Sequence, residues 1–63
     1  MRDGSETKER IENAALTLFV KRGIAETSIR QIAKTAKVSL GAMYNHYKSK
    51  DELAEVLFAE LFH

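Results

Sequence analysis

The sequence predicts an all-α chain: a three-helix bundle followed by the start of a fourth, connecting helix. Three observations predict it. The 63 residues contain no Pro and only three Gly, at positions 4, 23 and 41, so little interrupts a helix. Apolar residues recur at three- and four-residue spacing in successive segments. A Ser or Thr stands ahead of each segment, where its hydroxyl can accept one of the backbone N–H groups that a helix start leaves unpaired.

The first helix is expected to start after Thr7. Ile11, Ala14, Ala15, Leu18 and Phe19 fall at i, i+3, i+4, i+7 and i+8, one apolar stripe. Glu9 and Glu12 lie toward its positive end, Lys21 and Arg22 toward its negative end, and Gly23 supplies a left-handed stop. The second helix is short. Ser28 and Gln31 have the spacing of a capping box, with Thr27 as an alternative cap, and Ile29, Ile32, Ala33 and Ala36 form its apolar face. Lys37-Val38-Ser39 then breaks the pattern. The third helix runs from Leu40 to about His46, with Ser39 as cap and Met43 and Tyr47 as an i, i+4 anchor. The fourth begins at Ser49, with Glu52 in position to complete a second capping box. Its residues Leu53, Ala54, Val56, Leu57, Phe58, Ala59, Leu61 and Phe62 are apolar on nearly every side, more than 63 residues can cover. The expected division is a flexible arm over 1–6, the helical domain over 7–48, and over 49–63 the first part of a helix leading into a further domain.

Length and composition narrow the function. At ~100–200 residues per domain there is room for one domain, and a chain this short buries only roughly 60% of its unfolded surface. With no Cys there is no disulfide or thiolate metal site, which fits a reducing compartment. Met1 to Glu6 lack the apolar stretch of a signal peptide, and no run approaches the ~20 apolar residues of a membrane span, so a cytoplasmic location and no membrane partner are expected. The net charge of +1 conceals a division. Residues 1–26 sum to zero, residues 27–50 carry Arg30, Lys34, Lys37, Lys48 and Lys50 without an acid, and residues 51–63 carry Asp51, Glu52, Glu55 and Glu60 without Lys or Arg. A basic middle of this kind attracts a polyanion. Lys50 stands in the first turn of its helix, where a cation opposes the helix dipole unless an anion binds there. Arg2 in the arm is a further candidate for nucleic acid.

Residues 28–47 therefore read as two short helices joined by a three-residue turn, the layout of a helix-turn-helix unit whose second helix enters the major groove. Ala33 allows the two helices to cross closely, and Val38 plugs the core beneath the turn. The outer side of the third helix presents Gly41, Ala42, Tyr44, Asn45 and His46, small or hydrogen-bonding groups suited to close approach and base readout.

Taken together, these motifs resemble the N-terminal DNA-binding domain of the TetR family of bacterial transcriptional repressors. The matching run is Ile11-Glu12-Asn13-Ala14-Ala15-Leu16-Thr17-Leu18-Phe19, then Gly23, Thr27-Ser28-Ile29-Arg30-Gln31-Ile32-Ala33, Val38-Ser39, Gly41, Tyr44, His46, Tyr47, Ser49 and Lys50. It covers roughly residues 8–60. The resemblance implies DNA phosphate contacts from Ser28, Ser39, Tyr44, His46 and Lys50, and base contacts from Arg30, Leu40, Gly41, Ala42 and Asn45. It also implies a palindromic double-stranded operator, a homodimer formed by a C-terminal domain not contained in these residues, and a small-molecule inducer bound by that domain. No cofactor is implied. Two residues depart from the family pattern: Lys37 stands where Gly is usual, at a turn position that tends to need positive φ, and Leu40 replaces a common Lys.

The other readings are less specific. Leu40 lies three residues before Met43 and can belong to the core. His46 lacks the partners of a metal site, because His63 is distant and there is no Cys. A protein-interaction module, or a DNA-bound adaptor recruiting a partner through the apolar fourth helix, is the alternative function. No nucleophile with an adjacent base, no catalytic carboxylate and His arrangement and no Gly-rich phosphate loop point to an enzyme.

Overall fold

The computed structural model describes residues 4–62. They form four helices: α1 (Gly4–Arg22), α2 (Ile29–Ala36), α3 (Leu40–His46) and α4 (Lys50–Leu61). Helix α1 packs against α2 and α4, and α2 packs against α3. None of these helices is long and apolar enough to cross a membrane.

Helix α1 starts earlier than its sequence signals indicate. Thr7 lies inside it, so Thr7 is not the cap, and Gly4 to Glu6 are helical rather than part of an arm. A hydroxyl caps only where the preceding chain leaves helical dihedrals. Nothing in Gly4-Ser5-Glu6 forces that departure, and Glu6 in the first turn favours the helix through its dipole. Arg2 lies outside the described residues, as does His63. The far end of α1 is as expected: Gly23 has φ 88°, and its N–H donates to the Phe19 carbonyl at 2.8 Å.

The α1–α2 loop ends in two residues with different tasks. Thr27 is buried, and its hydroxyl donates to the Gly23 carbonyl at 2.8 Å, closing the loop on itself. Ser28 is the cap. Its Oγ accepts from the Gln31 N–H at 3.1 Å while the Gln31 Oε1 accepts from the Ser28 N–H at 3.0 Å, a complete capping box. At the other end of α2 Lys37 adopts φ 61° and ψ 44°, the left-handed conformation expected of the family's Gly. Its N–H reaches the Lys34 carbonyl at 3.2 Å, and the Val38 N–H reaches the Ala33 carbonyl at 3.0 Å. These bonds satisfy carbonyls that the helix end would otherwise leave open.

Ser39 caps α3 by accepting from the Ala42 N–H at 3.0 Å. Ser49 caps α4 by accepting from the Glu52 N–H at 3.1 Å. The second capping box is only half formed, because the Glu52 side chain does not return a bond to Ser49 as Gln31 does to Ser28.

One core joins all four helices. It contains Ile11, Ala14 and Ala15 of α1, Ile32, Ala33 and Ala36 of α2, Met43 and Tyr47, and Leu53 and Leu57 of α4. Alanines at 14, 15, 33 and 36 let the backbones of α1 and α2 approach, and Ile11, Ile32, Met43 and Leu53 fill the centre with no exposed surface. Leu18, Phe19, Ile29, Val38 and Leu40 pack around this centre, partly buried. Helix α4 buries only Leu53, Ala54 and Leu57, and at its end Phe58, Leu61 and Phe62 remain exposed, Phe62 to 83%.

The left-handed dihedral at Lys37 generates a prediction. A side chain there costs about 1–2 kcal/mol, partly offset because Gly loses more entropy on folding. Lys37→Gly is expected to raise the thermal midpoint by a few degrees in a circular dichroism melt. A lower midpoint refutes the strain.

Candidate nucleic-acid interface

The candidate surface is organised by where α3 puts its core residue. Successive residues turn by about 100° around a helix. With Met43 fully buried, the positions opposite it are Gly41 and Asn45, flanked by Tyr44, and all three are exposed. The paired tyrosines divide as expected, Tyr47 inward at 3% exposure and Tyr44 outward at 48%. Ala42 and His46 occupy the flank and are half-buried. Leu40 is half-buried too, and packs against the core, so its side chain contributes to the bundle as well as to the edge of this face.

Gly41 is informative through what does not surround it. A Cβ built there would meet nothing closer than the Ser39 Oγ at 3.8 Å, an ordinary contact. Its φ is not in the left-handed region. Nothing inside the domain requires a glycine at this position, although Gly in a helix is less favourable than Ala by up to about 1 kcal/mol. The space it leaves lies on the outside.

Three of the five candidate phosphate ligands, Ser28, Ser39 and Lys50, occupy helix starts. Ser28 and Ser39 are both exposed at the N-termini of α2 and α3, and each hydroxyl oxygen already accepts from its own helix. Each O–H proton therefore remains available to donate outward. Lys50 is more constrained than its sequence position suggests. Its Nζ donates to the Ile24 carbonyl at 2.7 Å, tying the first turn of α4 to the α1–α2 loop. This internal acceptor accounts for a cation at the unfavourable end of a helix. An ammonium carries three donors, so two remain for an anion. Arg30, Lys34, Lys37 and Lys48 are exposed and form no ion pair among the described residues. Among the described residues there is no group of three side chains able to hold a metal.

A second polar cluster stands behind this face, where sequence spacing gives little sign of it. The Tyr47 hydroxyl, just past the end of α3, donates to the Glu12 carboxylate on α1. Lys8 donates to the same carboxylate at 2.6 Å and reaches Glu60 of α4 at 3.5 Å. Burial alone would raise the Glu12 carboxyl, but the hydrogen bonds from Lys8 and Tyr47 outweigh it and hold the group below its ordinary value. Burial, and then the adjoining Glu12 carboxylate, push the Tyr47 phenol well up. Glu12 raises Lys8. Only the Lys8 and Glu12 spacing, i and i+4, is a local signal of this cluster.

Two short helices joined by a three-residue turn, the second with an exposed polar face, define a helix-turn-helix domain. The chain belongs to the tetR family of bacterial regulatory proteins, whose family model matches residues 11–57. It is 38% identical over 61 residues to the HTH-type transcriptional regulator SrpR of Pseudomonas putida, covering 97% of this chain and 29% of that protein. It is 43% identical over 51 residues to the HTH-type transcriptional regulator AcrR of Shigella flexneri, covering 81% and 24% respectively. It is also 41% identical over 59 residues to the HTH-type transcriptional regulator TtgR of Pseudomonas putida, covering 94% and 28%. The chain thus spans less than a third of the length of each of these three relatives. No solved structure gives a significant match.

The Glu12 cluster predicts an acid dependence. Because its folded pKa lies below the ordinary 4.5, the stability it contributes is complete above that value and is lost as pH falls through it toward the folded pKa. Glu12→Gln is expected to be less stable than the parent at pH 7 and to lose less between pH 6 and 3, by urea titration. Tyr47→Phe leaves the carboxylate one donor short and is expected to cost about 1–2 kcal/mol in the same titration at pH 7.

Proposed function

We propose that this chain is the DNA-reading head of a ligand-responsive transcriptional repressor. In this reading α3 enters the major groove of double-stranded DNA, and two copies read the half-sites of a palindromic operator about 34–36 Å apart. Arg30, Gly41, Ala42 and Asn45, with the edge of Leu40, face bases. Asn45 can pair with adenine, Arg30 with guanine, and the apolar groups can meet a thymine methyl. Ser28, Ser39, Tyr44, His46 and Lys50 contact phosphates, which fix register without reading sequence.

The observation that carries the proposal is Gly41, a glycine that the fold does not need, at the centre of an exposed face. It is supported by the exposed cations of residues 27–50 and by relatives described as HTH-type transcriptional regulators. The exposed Phe58, Leu61 and Phe62 favour a packing partner for the end of α4. We assign that partner to a C-terminal domain of the same protein, which forms the homodimer and binds the inducer. This assignment takes the place of an independent protein-interaction module. The working location is the cytoplasm, with the protein on the nucleoid.

Selection of duplexes from a random pool by the whole protein tests the proposal, with a palindromic consensus as the expected outcome and no enrichment as the refuting one. With about five phosphate contacts per subunit, affinity is expected to fall with salt at a log–log slope near −4 to −5 per subunit. Gly41→Ala is expected to leave stability unchanged or raise it by a few tenths of a kcal/mol, while weakening operator binding at least tenfold by roughly the cost of one lost base contact. Asn45→Ala should relax preference at one base pair, and Lys50→Ala should reduce the salt slope by about one for all sequences alike.

A further inference from the structure

Among the described residues Lys37 is the only non-glycine with positive φ. A strained backbone conformation persists only where its surroundings over-determine it. Three restraints on this turn come from α2 and the core: the Lys37 N–H to Lys34, the Val38 N–H to Ala33, and the packing of the Val38 side chain. The fourth comes from α1. The Arg10 Nη2 donates to the Lys37 carbonyl at 3.2 Å, across 27 residues of sequence. Arg10 and Lys37 border an open groove of about 350 Å³, lined otherwise by Asn13, Ala14, Thr17, Thr35 and Ala36. No carboxylate lines that groove, so none there competes for the guanidinium. The carbonyl it holds belongs to the residue whose dihedrals decide where α3 begins, two residues before the Ser39 cap.

We infer that Arg10 is a positioning residue for the recognition helix. Through the Lys37 carbonyl it holds the left-handed turn and so sets the angle at which Gly41 and Asn45 meet bases. In this role it touches neither base nor phosphate. The inference rests on the DNA-reading function proposed above and deepens it by adding a residue outside the interface. Base hydrogen bonds weaken steeply with distance and angle, whereas phosphate contacts carry no sequence information. Loosening the turn therefore lowers selectivity more than general affinity. The competing role for Arg10 is that of a direct phosphate ligand, since the groove offers two cations and three polar side chains to an anion.

The test compares Arg10→Gln in the whole protein, with and without Lys37→Gly. Two quantities are measured: amide hydrogen exchange of the free protein, and affinity for the selected operator and for a random duplex as a function of salt. Arg10→Gln is expected to speed exchange at Val38 and Ala42 more than at core amides of α1 and α4. It is expected to lower the operator-to-random affinity ratio about fivefold with no change in salt slope, a coupling of ordinary size for contacting residues. In the Lys37→Gly background, where the turn is unstrained, both effects should shrink by at least half. Unchanged exchange at Val38 and Ala42 overturns the inference, as does an unchanged ratio. A salt slope reduced by about one, with equal losses on both duplexes, makes Arg10 a phosphate ligand and overturns it too. If the parent protein binds DNA without selectivity, the proposed function fails, and the positioning role fails with it even where exchange shows that Arg10 holds the turn.

Discussion

Helices of eight and seven residues do not persist in water by themselves, because the cost of nucleating a helix exceeds what so few hydrogen bonds return. Helices α2 and α3 have these lengths, and both carry the candidate interface. Everything on that surface therefore depends on the shared core of Ile11, Ile32, Met43 and Leu53, which are fully buried. Each helix contributes one of these four side chains. The interface is rigid to the extent that this small apolar cluster is.

A core this small leaves orientation under-determined, and polar contacts between distant parts of the chain supply the remainder. The Tyr47 hydroxyl fixes the exit of α3 to Glu12, Lys50 fixes the entry of α4 to the α1–α2 loop, and Arg10 fixes the turn before α3. The Lys8 contact with Glu60 brings the far part of α4 into the same set. Each contact reaches back to α1 or to the loop that follows it. Helix α1 thus acts as the frame on which the candidate face is mounted, and none of the ten candidate ligands at 28–50 lies on it.

The charge distribution has the same logic. The cations of residues 27–50 are exposed and unpaired in their majority, whereas Lys8 and Glu12 on α1 neutralise each other. Among the described residues none of Arg30, Lys34, Lys37 and Lys48 is drawn into an ion pair. The acids of α4 follow the Lys50 turn, and Glu60 is drawn back toward Lys8.

Much of this is legible in the sequence, and the legible part has a common physical origin. The stripe from Ile11 to Phe19, the Ser28 and Gln31 capping box, the Gly23 stop and the inward and outward tyrosines all follow from interactions within about four residues, which spacing alone encodes, whereas the left-handed residue at Lys37 is expected only from the family resemblance. The start of α1 is the exception, because a hydroxyl at Thr7 marks a possible cap but does not end a helix already running through it. Other contacts have no local signature: Tyr47 to Glu12, Arg10 to the Lys37 carbonyl and Lys50 to the Ile24 carbonyl are 35, 27 and 26 residues apart. Two of the three end on backbone carbonyls, which every residue has and no sequence pattern distinguishes. Local spacing specifies four helices, the caps of α2, α3 and α4, and the outward side of α3. Packing decided how that face is held, because the direction of a side chain across a core depends on how the helices cross.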